Sequence, residues 1–71
     1  TLIYLKHIYK NVGLEESTID KSDLTFTQFI RCNFAYTEIT SSNLKSTYFF
    51  KSNIQNITFK DSNKNDAEFI N

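Results

Sequence analysis

The chain has no proline, one glycine and one cysteine among its 71 residues. A single cysteine excludes an internal disulfide framework and a zinc site built from several cysteines. Lys plus Arg and Asp plus Glu number eight each, so the formal net charge is zero. This balance excludes a strongly basic nucleic-acid-binding protein and a strongly acidic mimic of nucleic acid. The chain is therefore expected to be one small domain, or part of one, whose core forms without disulfide bonds.

Long apolar runs are also missing. The apolar start, residues 2–5, is interrupted by Lys6 and His7, and it is too short for a membrane span or a signal-peptide core. The chain begins with Thr1, so we expect that it was processed or cut from something longer. Because nothing in the sequence marks secretion, an intracellular location is favoured.

Large apolar residues recur at every fifth position. Eleven of twelve positions in this register are Leu, Ile or Phe, and Lys64 is the exception. The register consists of Leu14, Ile19, Leu24, Phe29, Phe34, Ile39, Leu44, Phe49, Ile54, Phe59, Lys64 and Phe69. The residue two positions earlier is small in ten of twelve units, and the residue between is often Asp or Asn. The repeating unit is therefore small, polar, large apolar, and two further residues.

Neither standard element explains a five-residue step. In an α-helix it turns the apolar stripe by about 140° per unit, and in a strand it changes face at every unit. The step fits a square coil in which each unit forms one side and twenty residues form one turn. The large and the small residue then point inward and the others face water.

Four segments carry a family resemblance. Residues 22–26, 32–36, 42–46 and 52–56 resemble the units of pentapeptide-repeat proteins, Ala/Ser–Asp/Asn–Leu/Phe and two further residues. The resemblance covers roughly residues 12–71 and implies an all-β solenoid, a right-handed quadrilateral β-helix of about three turns. Ile57 at a small position and Lys64 at a large position depart from the pattern.

Stacking of the turns defines four predicted inner columns. They are Leu14–Phe34–Ile54, Ile19–Ile39–Phe59, Leu24–Leu44–Lys64 and Phe29–Phe49–Phe69. Three turns are the minimum usually needed for a solenoid to stand alone, so we expect caps or a partner at its ends. For Lys64, the favoured interpretation is a long stem over Leu44 with its ammonium at the open end. A functional buried charge is the alternative.

Residues 1–12 lie outside the predicted repeat. Leu2, Leu5, Ile8, Tyr9 and Val12 follow three- and four-residue steps, which predicts an amphipathic helix. Gly13 stands where a helix C-cap favours a left-handed residue. We therefore expect a capping helix over residues 1–12, followed by a β-helix over residues 13–71. A helix that binds a partner or a membrane surface is the alternative.

One side of the coil should carry an apolar outer surface. On three sides the residues after the large positions are polar or mixed, but on the fourth they are Ile30, Phe50 and Ile70. Tyr48 lies beside this column and Phe26 stands at the neighbouring corner. Stacked exposed apolar residues commonly mark contacts, so these five residues are the predicted interface. Scattered surface residues without consequence are the alternative.

Few residues are candidates for catalysis or metal binding. His7 is the sole histidine, and Cys32, the only soft ligand, occupies a small inward position. The carboxylates are spread over outward positions, and we find no acid–base pair or glycine-rich phosphate loop. We therefore expect no enzyme, no metal and no cofactor. Residues 56–58 fit the glycosylation pattern, but use of Asn56 is not expected.

These observations favour a non-catalytic protein-interaction or scaffold module, with a protein partner or homo-oligomer on the apolar side and with no nucleic acid or membrane contact. It could be an accessory subunit of a larger assembly. The resemblance implies an alternative, since some pentapeptide-repeat proteins mimic DNA and bind bacterial topoisomerases, giving quinolone resistance. A supercoiling assay distinguishes that role. A receptor ectodomain module is a third hypothesis, which glycosylation at Asn56 would support.

Overall fold

A computed structural model describes residues 6–71 of the chain as a parallel β-solenoid of about three turns. Seven three-residue strands recur every ten residues, and no helix occurs among the described residues. The strands are β1 (Ile8–Lys10), β2 (Thr18–Asp20), β3 (Gln28–Ile30), β4 (Glu38–Thr40), β5 (Tyr48–Phe50), β6 (Thr58–Lys60) and β7 (Glu68–Ile70).

The strands form two parallel sheets with a register of twenty residues. One sheet has the order β1-β3-β5-β7 and the other has the order β2-β4-β6. Two further ladders of isolated parallel bridges alternate with the sheets along the chain, Gly13–Asn33–Asn53 and Asp23–Asn43–Asn63. The chain therefore has four ladders, two made of strands and two of bridges. The predicted turn of twenty residues is confirmed.

A left-handed residue follows each side of the coil. Thirteen non-glycine residues at five-residue spacing, from Lys6 to Asp66, have φ between 49° and 60°. Positive φ costs a residue with a Cβ about 1–2 kcal/mol, so the surrounding turns must hold these conformations. At every second corner the backbone N–H three residues on donates to the carbonyl of the large residue, as Thr37 does to Phe34 at 3.0 Å.

The inner columns lie as the sequence predicts. Phe29, Phe49 and Phe69 are register partners, and Tyr9 begins their column. The ring centroids of neighbours are 4.8–5.5 Å apart with interplanar angles of 7–20°. Phe34 meets Phe29 and Phe49 edge-on from the neighbouring side. Stacked and edge-on rings are favourable aromatic geometries, so the aromatic contacts of this column stabilise the core.

Small inward residues connect successive turns. The buried hydroxyl of Thr37 donates to the Leu14 carbonyl at 2.6 Å, and that of Thr47 donates to the Leu24 carbonyl at 2.8 Å. Each bond spans 23 residues and so reaches the preceding turn. The Cys32 thiol makes the same type of contact with the Tyr9 carbonyl at 3.4 Å. The small positions therefore leave room for the large residues and also bond the turns together.

Polar residues on the bridged sides make local turns. The side-chain oxygens of Asp23, Asn33, Asn43, Asn53 and Asn63 each accept the backbone N–H two residues ahead, at 3.0–3.1 Å. This is the Asx turn, in which a short side chain replaces a backbone acceptor. It explains why Asp or Asn occupies the position before the large residue in these units.

The predicted N-terminal helix is not found in its described part. Residues 6–12 instead contain β1, which pairs with β3 from Ile8 to Lys10, while residues 1–5 lie outside the described residues. The three- and four-residue spacing was misleading because Tyr9 also continues the five-residue step. Gly13 is not a left-handed C-cap either, since it pairs with Asn33 and its φ is not positive.

The last turn exposes its inner residues. Phe69 is 41% exposed whereas Phe49, its partner one turn earlier, is 1% exposed. Lys64 is exposed, and its ammonium lies 4.9 Å from the centroid of the Phe59 ring. Lys64 is therefore not a buried charge, and its ammonium lies against the Phe59 ring of the neighbouring unit.

Candidate functional site

The outer face of the β1-β3-β5-β7 sheet brings together the predicted interface residues. In each strand the middle residue points inward, so the first and third residues point outward. The third residues Ile30, Phe50 and Ile70 are register partners and form one continuous column. Ile70 is 39% exposed, and Ile30 and Phe50 are half-buried. The apolar column predicted from the sequence is thus a stripe on the surface of the protein.

Aromatic side chains lie beside this column. The rings of Tyr48 and Phe50 stack with centroids 5.9 Å apart and an interplanar angle of 10°. Phe26 is 53% exposed and occupies a left-handed corner with φ of 60°. Such a conformation is rare for a bulky residue in proteins, but in this coil it recurs at every corner, and Tyr36 is a second exposed aromatic residue in it.

Ile8 extends the apolar surface and was not predicted. It is 49% exposed and is the register partner of Gln28, in the first-residue column that continues to Tyr48. Sequence analysis assigned it to a helix, so its outward position was missed. The signal was available, because Ile8 stands next to Tyr9 as Tyr48 stands next to Phe49.

The opposite sheet has a polar outer face. Its outward columns are Thr18–Glu38–Thr58 and Asp20–Thr40–Lys60. The Thr40 hydroxyl donates to the Asp20 carboxylate at 2.6 Å, across one register step. Both sheets consist of three-residue parallel strands and bury apolar residues on the inside. The apolar character of the first outer face is therefore a property of its side chains and is not required by the fold.

A shallow groove lies at one edge of the apolar face. It has a volume of about 380 Å³ and is lined by Phe26, Gln28, Ser46, Tyr48 and Glu68. Tyr48 is the register partner of both Gln28 and Glu68, so the groove runs across three successive strands. Its walls combine two aromatic rings with an amide, a hydroxyl and a carboxylate. The groove is therefore amphipathic, unlike the neighbouring column.

The residues considered for other chemistry lie elsewhere. The ring of exposed His7 packs against Tyr9, with centroids 4.7 Å apart, and Cys32 is buried in the core. Among residues 6–71 no group of three or more His, Cys, Asp or Glu residues could hold a metal ion. Asn56 is exposed at a left-handed corner. Hydrogen bonds from the Thr25 side chain and backbone hold the pKa of exposed Asp23 below its ordinary value.

Comparison with known proteins gives no relative. No family model, no curated protein and no solved structure matches the chain. Within the described part of the chain, no helix is long and apolar enough to cross a membrane. The parallel solenoid with strands ten residues apart is compatible with a pentapeptide repeat, and the family itself stays a proposal.

Proposed function

We propose that the chain is a pentapeptide-repeat coil that acts as a non-catalytic protein-interaction module. Its contact surface is the outer face of the four-stranded sheet, centred on Ile30, Phe50 and Ile70. Support comes from one observation above all. The two sheets are built of the same three-residue parallel strands and both have an apolar inner face. Only one of them has a stacked apolar column on its outer face, formed by register partners of β3, β5 and β7.

The proposed coil is right-handed and four-sided, since parallel crossover connections are right-handed in about 98% of cases. This assignment has its own test. Duplicating residues 24–43 adds one full turn of twenty residues and should raise the unfolding temperature, because it adds buried inner residues. Duplicating residues 24–28 adds one unit and shifts every later side by one position, so it should lower that temperature. Equal effects of the two insertions would contradict a four-sided coil.

Phe50→Lys tests the proposal directly. Lysine fits this strand position because Lys60 occupies the third residue of β6 in the other sheet. We expect partner capture or self-association, measured by pull-down and sedimentation velocity, to be lost while the unfolding temperature stays nearly unchanged. Thr58→Lys adds the same charge on the polar face and should leave association intact. If Phe50→Lys associates as the unchanged chain does, the apolar column is not the contact surface.

A further inference from the structure

We infer that the groove beside the apolar column binds an arginine side chain of the partner. This inference rests on the proposed function and names the chemistry that the partner must present. Two aromatic rings, exposed Phe26 and half-buried Tyr48, line the groove together with the Glu68 carboxylate. A planar guanidinium can stack on an aromatic ring and bind a carboxylate through two parallel hydrogen bonds. The groove offers both kinds of contact.

The carboxylate in the groove favours a cationic occupant, on a face that also carries Lys6, Lys10 and Lys51. Glu68 makes no ion pair with any residue in the described part of the chain, and its neighbour on the same turn, Asp66, is also exposed. Both carboxylates belong to the last turn, at the end of the column that runs from Phe26 through Ser46 to Asp66. An arginine entering the groove therefore meets negative charge that is not already neutralised.

Two lysines of the protein already lie near aromatic rings of this face. The Lys6 ammonium lies 5.9 Å from the centroid of the Phe26 ring. The ammonium of Lys51 lies 5.4 Å from the Phe50 centroid. Both distances are within the range of cation–π attraction. Lys6 does not line the groove, so an arginine can stack on Tyr48 and bind Glu68 while Lys6 stays at Phe26.

The remaining groove residues suit the same ligand. Gln28 and Ser46 carry side-chain oxygens that can accept hydrogen bonds, and a guanidinium has five N–H donors and no acceptor. The groove also lies directly beside the Ile30–Phe50–Ile70 column. A partner segment whose apolar residues cover that column can therefore place an arginine in the groove.

Titration with two capped tripeptides tests the inference without any knowledge of the partner. The probes are acetyl-Gly-Arg-Gly-amide and its citrulline analogue, which has nearly the same shape and no charge. In NMR spectra of the labelled chain we expect saturable shifts at Phe26, Tyr48 and Glu68 with the arginine peptide. We expect weaker binding of the citrulline peptide and of the arginine peptide at 0.5 M salt. Equal binding of the two peptides, or no saturable shift, would overturn the inference.

Matched variants locate the site. Glu68→Gln and Phe26→Asn should each weaken arginine binding about two- to fivefold, the range of one exposed cation–π or ion-pair contact. Glu38→Gln is the control for the first, because Glu38 is the first residue of β4 on the polar sheet. Tyr36→Asn is the control for the second, because Tyr36 is an exposed aromatic residue with φ of 59°. Equal losses in a variant and its control would assign the binding to non-specific charge or ring contacts.

The two proposals fail separately. Phe50 stacks on Tyr48, a wall of the groove, so the variant that separates the two proposals is Ile30→Thr, which adds no charge. Ile30→Thr should weaken partner association and keep arginine binding. If the tripeptide does not bind but Phe50→Lys still abolishes association, the groove inference is wrong and the interaction surface stands. If the tripeptide binds and association is insensitive to Phe50→Lys, the opposite holds.

Discussion

The stretches of chain that form the two sheets (the sheet sides) and those that form the two ladders of isolated bridges (the bridged sides) hold the same turns together by different means. On the sheet sides, three consecutive residues pair with the turn above and the turn below. On the bridged sides only one residue pairs in each unit, and an Asx turn and a backbone turn complete the structure. Inside, both kinds of side present one large apolar residue. A constant interior is thus built from two alternating local structures.

The alternation is written in the sequence with a period of ten residues. Units on the sheet sides have Thr, Gln, Glu or Tyr before the large residue. Their small position is often Thr, as at Thr27, Thr37 and Thr47. Units on the bridged sides have Asp or Asn before the large residue from Asp23 onward, with Ser42 or Ser52 as typical small residues. Treating every unit alike gives the coil but hides which sides form strands.

The largest effects should come from the interior, where the two kinds of side are equivalent. Phe49→Ala on a sheet side should cost about 3–5 kcal/mol of unfolding free energy, and Leu44→Ala on a bridged side about 2–5 kcal/mol. Both side chains are at most 1% exposed. Phe49 should be the more costly, because its ring stacks on Phe29 and Phe69. Urea denaturation measures both values.

Phe69→Ala provides the control within the same column. Since Phe69 is 41% exposed, its truncation should cost much less than that of Phe49. If Phe49→Ala is unfolded without denaturant, Phe49→Leu gives a milder comparison with Phe69→Leu. Equal losses of stability at positions 49 and 69 would show that Phe49 is no more buried in solution than Phe69.

A smaller effect should separate the two kinds of side. Asn43→Ala removes the side-chain acceptor of the Lys45 N–H at 3.1 Å, and it should cost about 0.5–1.5 kcal/mol. Glu38→Ala changes the corresponding residue of a sheet side, where the backbone pairing persists. Its effect should stay within about 0.5 kcal/mol. Thermal unfolding of the two variants measures both losses of stability. Equal losses would contradict the difference between the two kinds of side.

The first bridged unit can be improved. Gly13 takes the place of the Asx residue there, and its φ is not positive, so glycine is not required. Gly13→Asn should stabilise the chain by about 0.5–1 kcal/mol, through a new Asx turn and a less flexible unfolded state. A Cβ at this position would meet the end of the Glu15 side chain, which can rotate away.

Gly13→Ala separates the two contributions. It should gain only the part that comes from the unfolded state. Differential scanning calorimetry should therefore rank asparagine above alanine and alanine above glycine. An asparagine variant no more stable than the alanine variant would mean that no Asx turn forms in this unit.

The smallest effect should be a pH dependence on one bridged side. Hydrogen bonds from Thr25 favour the charged form of Asp23 and lower its pKa in the folded state. Their contribution is therefore present above the unfolded pKa and is lost as the pH falls through the folded pKa, on the acid side of about pH 4. Asp23→Asn keeps an acceptor and removes this dependence. An NMR titration of Asp23 with a midpoint at or above the ordinary value would contradict the assignment.

Much of the fold was predictable because a buried five-residue step admits few geometries. The columns Ile19–Ile39–Phe59 and Phe29–Phe49–Phe69 are register partners as predicted. The helix over residues 1–12 was wrong in its described part, since five apolar residues can satisfy two periodicities in a short segment. The left-handed corners were not predicted either, because the usual signal for positive φ is glycine and none of these corners has one.

The outer face divides in the same way. The stacking of Ile30, Phe50 and Ile70 follows from a twenty-residue turn, so the sequence alone placed these residues together. The groove at Phe26, Tyr48 and Glu68 needed coordinates, because its walls come from two left-handed corners and from three strands on successive turns. Residue spacing does not reveal where such a corner directs its side chain.

The sequence by itself determined which side chains lie inside and which turns stack, because only one large residue fits each unit and the step is broken only at Lys64. The sequence marks the bridged units with Asp or Asn, but only the tertiary structure decided that the units between them pair as strands and where the outer face opens into a groove. The reason is physical. Burial depends on spacing along the chain, whereas pairing and surface shape depend on the hydrogen bonds available between neighbouring turns.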